Sequence, residues 1–197
     1  MILLFDLLLA ALAAEVMNER PLKVNYVDLP DGKRFSVEDV TFGYDLLYER
    51  NALWAQQRWM GVQCQQNPSD AWILQEILFD TQPDLLIETG TQNGGGSLFC
   101  VLNEVRTAVQ NAKRVMVVLD SLHKYENVLR ELREYSGFVS HGQYLVVQDT
   151  KLDRIRGRPL AKAAVNSFLQ HSADFKMDRS REYLLYSQHH DGYLIRK

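Results

Sequence analysis

Three apolar runs in this chain of 197 residues end in an acid: "DLLIE" at Glu88, "VMVVLD" at Asp120 and "YLVVQD" at Asp149. If the runs are parallel strands of one sheet, their carboxyl ends share an edge, and the three carboxylates gather around one cleft. Clustered carboxylates with oxygen-rich neighbours suit a hard cation such as Mg²⁺. His123 follows Asp120 by three residues and could serve there as a general base or as a ligand. Each residue also has a plain structural use. A strand-end Asp is often a helix cap, and a single His is often surface or core.

Glu88 leads directly into a glycine-rich loop, "TGTQNGGGS", residues 89–97. In an open α/β sheet the first strand-to-helix turn is the usual ligand site. Three readings compete. Gly90, Gly95 and Ser97 fit the outer frame of a P-loop, but Gly96 stands where the lysine that reaches the outer phosphates must be. That argues against NTP hydrolysis. The dinucleotide pattern G-x-G-x-x-G is not present in register. The third reading is the looser loop of nucleoside-binding α/β enzymes, in which Glu88 would face a ligand's amine or hydroxyl. The bare backbone at Gly94, Gly95 and Gly96 would then admit close approach. The structural alternative is a tight turn that needs positive φ.

The elements that must position these residues can be read from periodicity and turn chemistry. "PLKVNYVDLPDGKRFSVED" carries a Pro-Asp-Gly turn and reads as a loop with a short strand. "VEDVTFGYDLLYERNALWAQQRWMGV" has helical spacing, including Leu47, Trp54 and Met60, with Gly61 as a stop. "NPSDAWILQEILFDTQPD" predicts a helix capped by Ser69 or Asp70, with Trp72, Ile73, Ile77 and Leu78 on one face and Pro83 ending it. "GSLFCVLNEV" and "KYENVLRELREYSGFV" have helical periodicity, the latter with Val128, Leu129 and Leu132 inward, and "LAKAAVNSFLQ" is a further helix. The near-uniform apolarity of "RVMVVLD" suits a strand covered on both faces. "REYLLYSQ" and "GYLIRK" read as a closing antiparallel pair. Alternating strands and helices predict an open α/β sheet.

Composition excludes several classes. A hydrophobic share of 46% and a charged share of 24% are globular, and a net charge of -3 offers no basic field for nucleic acid. Cys64 and Cys100 form neither a disulfide framework nor a zinc motif, and are expected as buried free thiols. The apolar start, "MILLFDLLLAALAAE", lacks a preceding Lys or Arg, contains Asp6 and is too short to span a bilayer. A docking helix in a cytoplasmic protein is the expectation, with a cleaved signal and secretion as the alternative. No integral membrane span is expected.

Three blocks taken together resemble the cephalosporin hydroxylase / rhamnosyl O-methyltransferase family. They are "GVQCQQNPSDAWILQEILFDTQPDLLIETGTQNGGGSLF", "RVMVVLDSLHKYENVLRELREYSGFVSHGQYLVVQDT" and "DFKMDRSREYLLYSQHHDGYLIRK". The resemblance runs from about Trp54 to the carboxyl terminus and implies a Rossmann-like class I methyltransferase sheet with helices on both faces. It further implies S-adenosylmethionine at the loop, Mg²⁺ beside it, and methylation of, or assistance to chemistry at, hydroxyls of sugars or small natural products. The cofactor residues it implies are Glu88, Thr89, Gly90, Gly94, Gly95, Gly96 and Ser97. The metal acids are Asp120 and Asp149, while the third such acid falls on Gln148, whose amide oxygen can coordinate but brings no charge. His123 is the candidate for removing the acceptor's proton.

The chain also departs from the family. After the loop helix two more strands with their helices should come, yet "NEVRTAVQNAKR", residues 103–114, runs straight to the next strand. The segment for the family's second and third strands is missing, and with it the acid that holds the ribose hydroxyls. The domains expected are an N-terminal cap, 1–61, and a shortened methyltransferase domain, 62–197. An O-methyltransferase with a small-molecule or glycosyl acceptor is therefore weighed against a catalytically impaired remnant acting through protein contacts, and homo-oligomers are admitted. A hydroxylase-like activity finds no iron triad or redox motif. Tyr44, Tyr48, Trp54 and Trp59 offer either an acceptor pocket or plain core.

Overall fold

A computed structural model describes residues 25–59, 61–90 and 105–197. The apolar start, Gly94, Gly95, Gly96, Ser97, Cys100 and most of the expected loop helix lie outside the described residues. The described residues open with a hairpin, β1 (Tyr26–Asp28) and β2 (Arg34–Ser36), then α1 (Val37–Arg50). Ser36 starts α1 through a capping box, its hydroxyl accepting from Asp39 N–H. Periodicity overruns here. The helix stops at Arg50, and a 3₁₀ turn (Leu53–Ala55) and a hairpin, β3 (Arg58–Trp59) with β4 (Val62–Gln63), replace its expected continuation. Leu47, one of the residues at helical spacing, is 62% exposed.

The next helix, α2 (Pro68–Thr81), is capped by Asn67, which accepts from Ser69 N–H, rather than by Ser69 or Asp70. Pro68 sits in the first turn, where no N–H is needed. Gln82 closes the helix in the left-handed conformation ahead of Pro83. Ile73 and Ile77 are buried, while Trp72 is solvent-facing and donates to Glu76. Asp70 is buried instead of capping. It accepts from the Ser187 hydroxyl, Gln188 N–H and the Tyr193 hydroxyl at 2.6, 2.9 and 2.9 Å, tying α2 to the carboxyl-terminal segment.

The main sheet contains β5 (Leu85–Thr89), β6 (Val115–Leu119), β7 (Tyr144–Val147), β8 (Phe175–Met177) and β9 (Tyr193–Arg196) in the order β5-β6-β7-β9-β8. The first three are parallel, and β9 runs antiparallel to both β7 and β8. The closing antiparallel pair exists, but its first member is Phe175–Met177. The expected "REYLLYSQ" strand is a 3₁₀ turn at Arg179–Glu182 followed by turns. Asp178 caps that turn by accepting from Ser180 N–H, a local bond that competes with a strand ladder.

Helices cover both faces, which explains why all five residues of β6 are buried. On one face, Val117, Leu119, Leu145 and Val147 pack against α3 (Tyr125–Tyr135) and α5 (Ala161–His171). On the other, Met116, Val118 and Val146 meet Ile73 and Ile77 of α2. The short α4 (Leu152–Arg156) precedes α5, and its Asp153 carboxylate caps α5 from outside, accepting from the N–H groups of Leu160, Lys162 and Ala163. No described helix is long and apolar enough to cross a membrane. Cys64 is free and half-buried, more accessible than expected.

Candidate functional site

The parallel register sets Leu119 of β6 beside Val147 of β7, and Gln148 N–H continues the ladder onto Leu119 O at 2.9 Å. The residues that follow the two strands therefore emerge side by side. Asp120 leaves β6 with its N–H on Thr89 O and Thr89 Oγ1. Asp149 leaves β7 at φ 56°, a left-handed conformation uncommon for a residue with a side chain. Its N–H donates to Nδ1 of buried His189 at 3.0 Å. The ring's other nitrogen, Nε2, lies 3.0 Å from the Gln66 side-chain Nε2.

This turn brings Asp120, His123 and Asp149 together, with one ligand atom from each inside a 4.8 Å group. His123 Nε2 stands 3.1 Å from Asp149 Oδ2 and 3.8 Å from Asp120 Oδ1. On its other oxygen Asp149 meets Lys151 Nζ at 3.4 Å. Lys151 is itself buried, with Glu49 Oε1 at 2.9 Å and the Tyr48 ring beneath its ammonium at 4.9 Å.

The two acids are driven in opposite directions. Burial and then the neighbouring Asp149 charge push the Asp120 carboxyl up to about 7, and His123 offsets only part of that. Burial would also raise Asp149, but its hydrogen bond with His123 and the Lys151 charge outweigh it and hold the carboxyl far below the usual range. For His123, burial favours the neutral ring; the Asp149 hydrogen bond and both carboxylate charges overcome it and raise its pKa. The imidazole lies between two carboxylates, where a divalent cation would relieve the same repulsion. Two carboxylates, one of them the crowded Asp120, and an imidazole form a donor set that fits a hard divalent ion.

The remaining expected residues fall into distinct roles. Glu88 is exposed at the end of β5, and its charge adds to the rise at Asp120. Thr89 is buried and spends its hydroxyl on the Asp120 N–H. Gly90, at φ 94°, is bare because Asp120 O would lie 2.0 Å from a Cβ there, so close packing of two strand ends explains this glycine. Gln148 is buried beside Asp149. Tyr48 is core, and Tyr44 packs edge-on against Tyr186 at 4.6 Å between ring centroids.

Sequence reasoning missed Lys151, Glu49 and His189. A lysine two residues after a strand-end acid reads as surface, and nothing local signals that Glu49, a hundred residues earlier in the chain, will pair with it. Glu131 was also missed: it is buried on α3, accepts from the Ser121 hydroxyl at 2.6 Å, and leaves Oε2 without a partner among the described residues.

Comparison with known proteins extends this picture. The sequence pattern described as Rhamnosyl O-methyltransferase/CmcI matches residues 51–102 and 100–197. The rhamnosyl O-methyltransferase of Mycobacterium leprae is 25% identical over 207 aligned positions, covering 78% of this chain and 89% of that protein. The protein of the same description from Mycobacterium tuberculosis is 27% identical, covering 78% and 83%. Among solved structures, an apo structure of CmcI gives a TM-score of 0.50 at 15% identity, covering 72% of this chain and 76% of that one, a likeness of fold alone. A CmcI structure described as Mg-SAM gives 0.47 at 14% identity, covering 73% and 77%.

Proposed function

This chain belongs to the rhamnosyl O-methyltransferase/CmcI family, and on that premise we propose that it transfers a methyl group from S-adenosylmethionine to a hydroxyl of a sugar or small natural product, assisted by Mg²⁺. The carrying observation is the Asp120–His123–Asp149 cluster at the carboxyl ends of adjacent parallel strands. When bound, Mg²⁺ would supply Lewis acidity to the acceptor hydroxyl, and S-adenosylmethionine the methyl group. Asp120 and Asp149 would hold the ion, with the Gln148 amide as a neutral third donor. Lys151 keeps Asp149 ionised, and His189 fixes the turn that aims it. With Asp120 and Asp149 turned to the ion, the His123 ring would be released from them to take the acceptor's proton. Glu88 would receive the cofactor's amine or a ribose hydroxyl, Thr89 and Gly90 would hold the loop against Asp120, and Gly94, Gly95, Gly96 and Ser97 would form its close-approach turn.

The test is isotope-labelled methyl transfer to a panel of glycosides and small hydroxylated compounds, with and without chelator. Asp120→Ala and Asp149→Ala should each lower turnover by at least about a hundredfold. Turnover indifferent to both substitutions would sink the metal role.

A second reading has its own support. The family match breaks into two pieces meeting at residues 100–102, next to the place where the resemblance leads one to expect a further pair of strands. Within the described sheet β5 stands at the edge, with Leu86 43% exposed. On this reading the chain is an impaired methyltransferase that uses the open edge to bind protein, including a second copy of itself. Methyl transfer by a monomer would exclude it.

A further inference from the structure

A cavity of about 580 Å³ lies between α1, residues 150–154 and residues 185–190. It is large enough for a monosaccharide or disaccharide. Lys151 joins it to the strand-end cluster: it lines the cavity and also reaches Asp149 Oδ1 at 3.4 Å.

The wall has a particular electrostatic character. Each cation that lines it has a carboxylate partner: Lys151 with Glu49, Arg154 with Glu38, Lys162 with Asp191 at 2.9 Å, and His190 with Glu182. An anion would have to break one of these pairs to gain its cation. A hydroxyl both donates and accepts, so it can bridge the two members of a pair without separating them. Asp45 adds a directed acceptor. It is 6% exposed, takes the Tyr186 hydroxyl on Oδ1 at 2.6 Å, and makes no other hydrogen bond among the described residues. Its second oxygen is not among the fully buried unpartnered atoms of the described residues, so on this cavity wall it is open to a ligand's hydroxyl. Burial raises the Asp45 pKa.

We propose that this cavity is the acceptor site and selects a neutral polyhydroxylated ligand, Asp45 accepting one ligand hydroxyl while Lys151 marks the route to the Asp120–Asp149 centre. The inference rests on the reading of the chain as a methyltransferase, and it is testable without turnover. Methyl α-rhamnopyranoside, with galacturonate as the anionic control, is titrated into ¹⁵N-labelled protein without S-adenosylmethionine. Amide shifts should concentrate at Thr41, Asp45, Lys151 and Tyr186. Asp45→Ala should weaken binding at least about tenfold, and Thr41→Trp, which fills the cavity, should abolish it, both in a protein that still folds and with unchanged Mg²⁺ affinity. Should Asp45→Ala unfold, Thr41→Trp alone decides. Shifts elsewhere, no shift at saturating millimolar probe, tighter binding of galacturonate, or binding that survives Thr41→Trp would each overturn the proposal. Cavity binding in a protein that never transfers a methyl group would support the site and refute the activity.

Discussion

Asp120 concentrates the account at the scale of a single residue. Its carboxyl keeps a proton up to about pH 7 in the fold, against 3.8 for an unperturbed group. Between those values the native state binds more protons than the unfolded chain, so metal-free stability should fall as pH rises through the window. His123, also raised, pushes in the same direction above its ordinary 6.5. Mg²⁺ must displace the Asp120 proton, so its affinity should climb with pH until that proton is gone near 7. Calorimetry in buffers of different ionisation heat should detect proton release at about pH 6 that declines as pH rises. Asp120→Asn should reduce the release and cost at least about tenfold in affinity; a pH-independent affinity would contradict the assignment. Gly90 makes a purely structural prediction. A Cβ at φ 94° would meet the Asp120 carbonyl at 2.0 Å, so Gly90→Ala should lose about 2–5 kcal/mol in denaturant unfolding. Asp120, Asp149 and His123 were legible because strand-end acids announce themselves after apolar runs. Lys151 and His189 were not, because their importance comes from tertiary partners: Glu49 on α1, and an Asp149 N–H turned outward by a left-handed backbone.

At the scale of elements, uniform apolarity located β6 and β7 well, since strands buried on both faces leave a continuous signal; β5 shows the same apolar run although Leu86 faces outward. Aromatic spacing misled along α1. Tyr48 is core, but Leu47 and Tyr44 are exposed, and Asn51 to Gln57 depart from the helix despite the continuing period. Composition could not reveal that Asp178 would turn the next residues into a 3₁₀ segment instead of a strand. Asp70 offers the sharpest test of how the elements are tied. Asp70→Ala would leave two hydroxyls and the Gln188 N–H without their acceptor, a loss of about 3 kcal/mol at roughly 1–3 kcal/mol per orphaned group after partial relaxation. Because that network anchors the segment carrying Gln188 and His189, Mg²⁺ affinity should fall as well. A neutral effect on both stability and metal would mean that water replaces the carboxylate.

At the scale of the molecule, the sheet order β5-β6-β7-β9-β8 preserves the half of the fold that carries the acids. The order and spacing of three sequence blocks made that legible, together with the family. The acceptor cavity was not, because it is assembled from α1, the turn after β7 and the carboxyl-terminal segment, which share no local pattern. If the edge of β5 is covered by a second copy, native mass should be a multiple of 22.8 kDa, and Leu86→Lys should shift it to the monomer; a monomeric wild type would leave that edge without a partner copy. The central claim is that the remaining half-sheet still forms a working cofactor and metal site. Calorimetric titration with S-adenosylmethionine, in the presence and absence of Mg²⁺, tests it most directly. The account predicts saturable binding in the micromolar range that Asp120→Ala and Asp149→Ala uncouple from Mg²⁺. The absence of binding by a chain that is folded and melts cooperatively would contradict it.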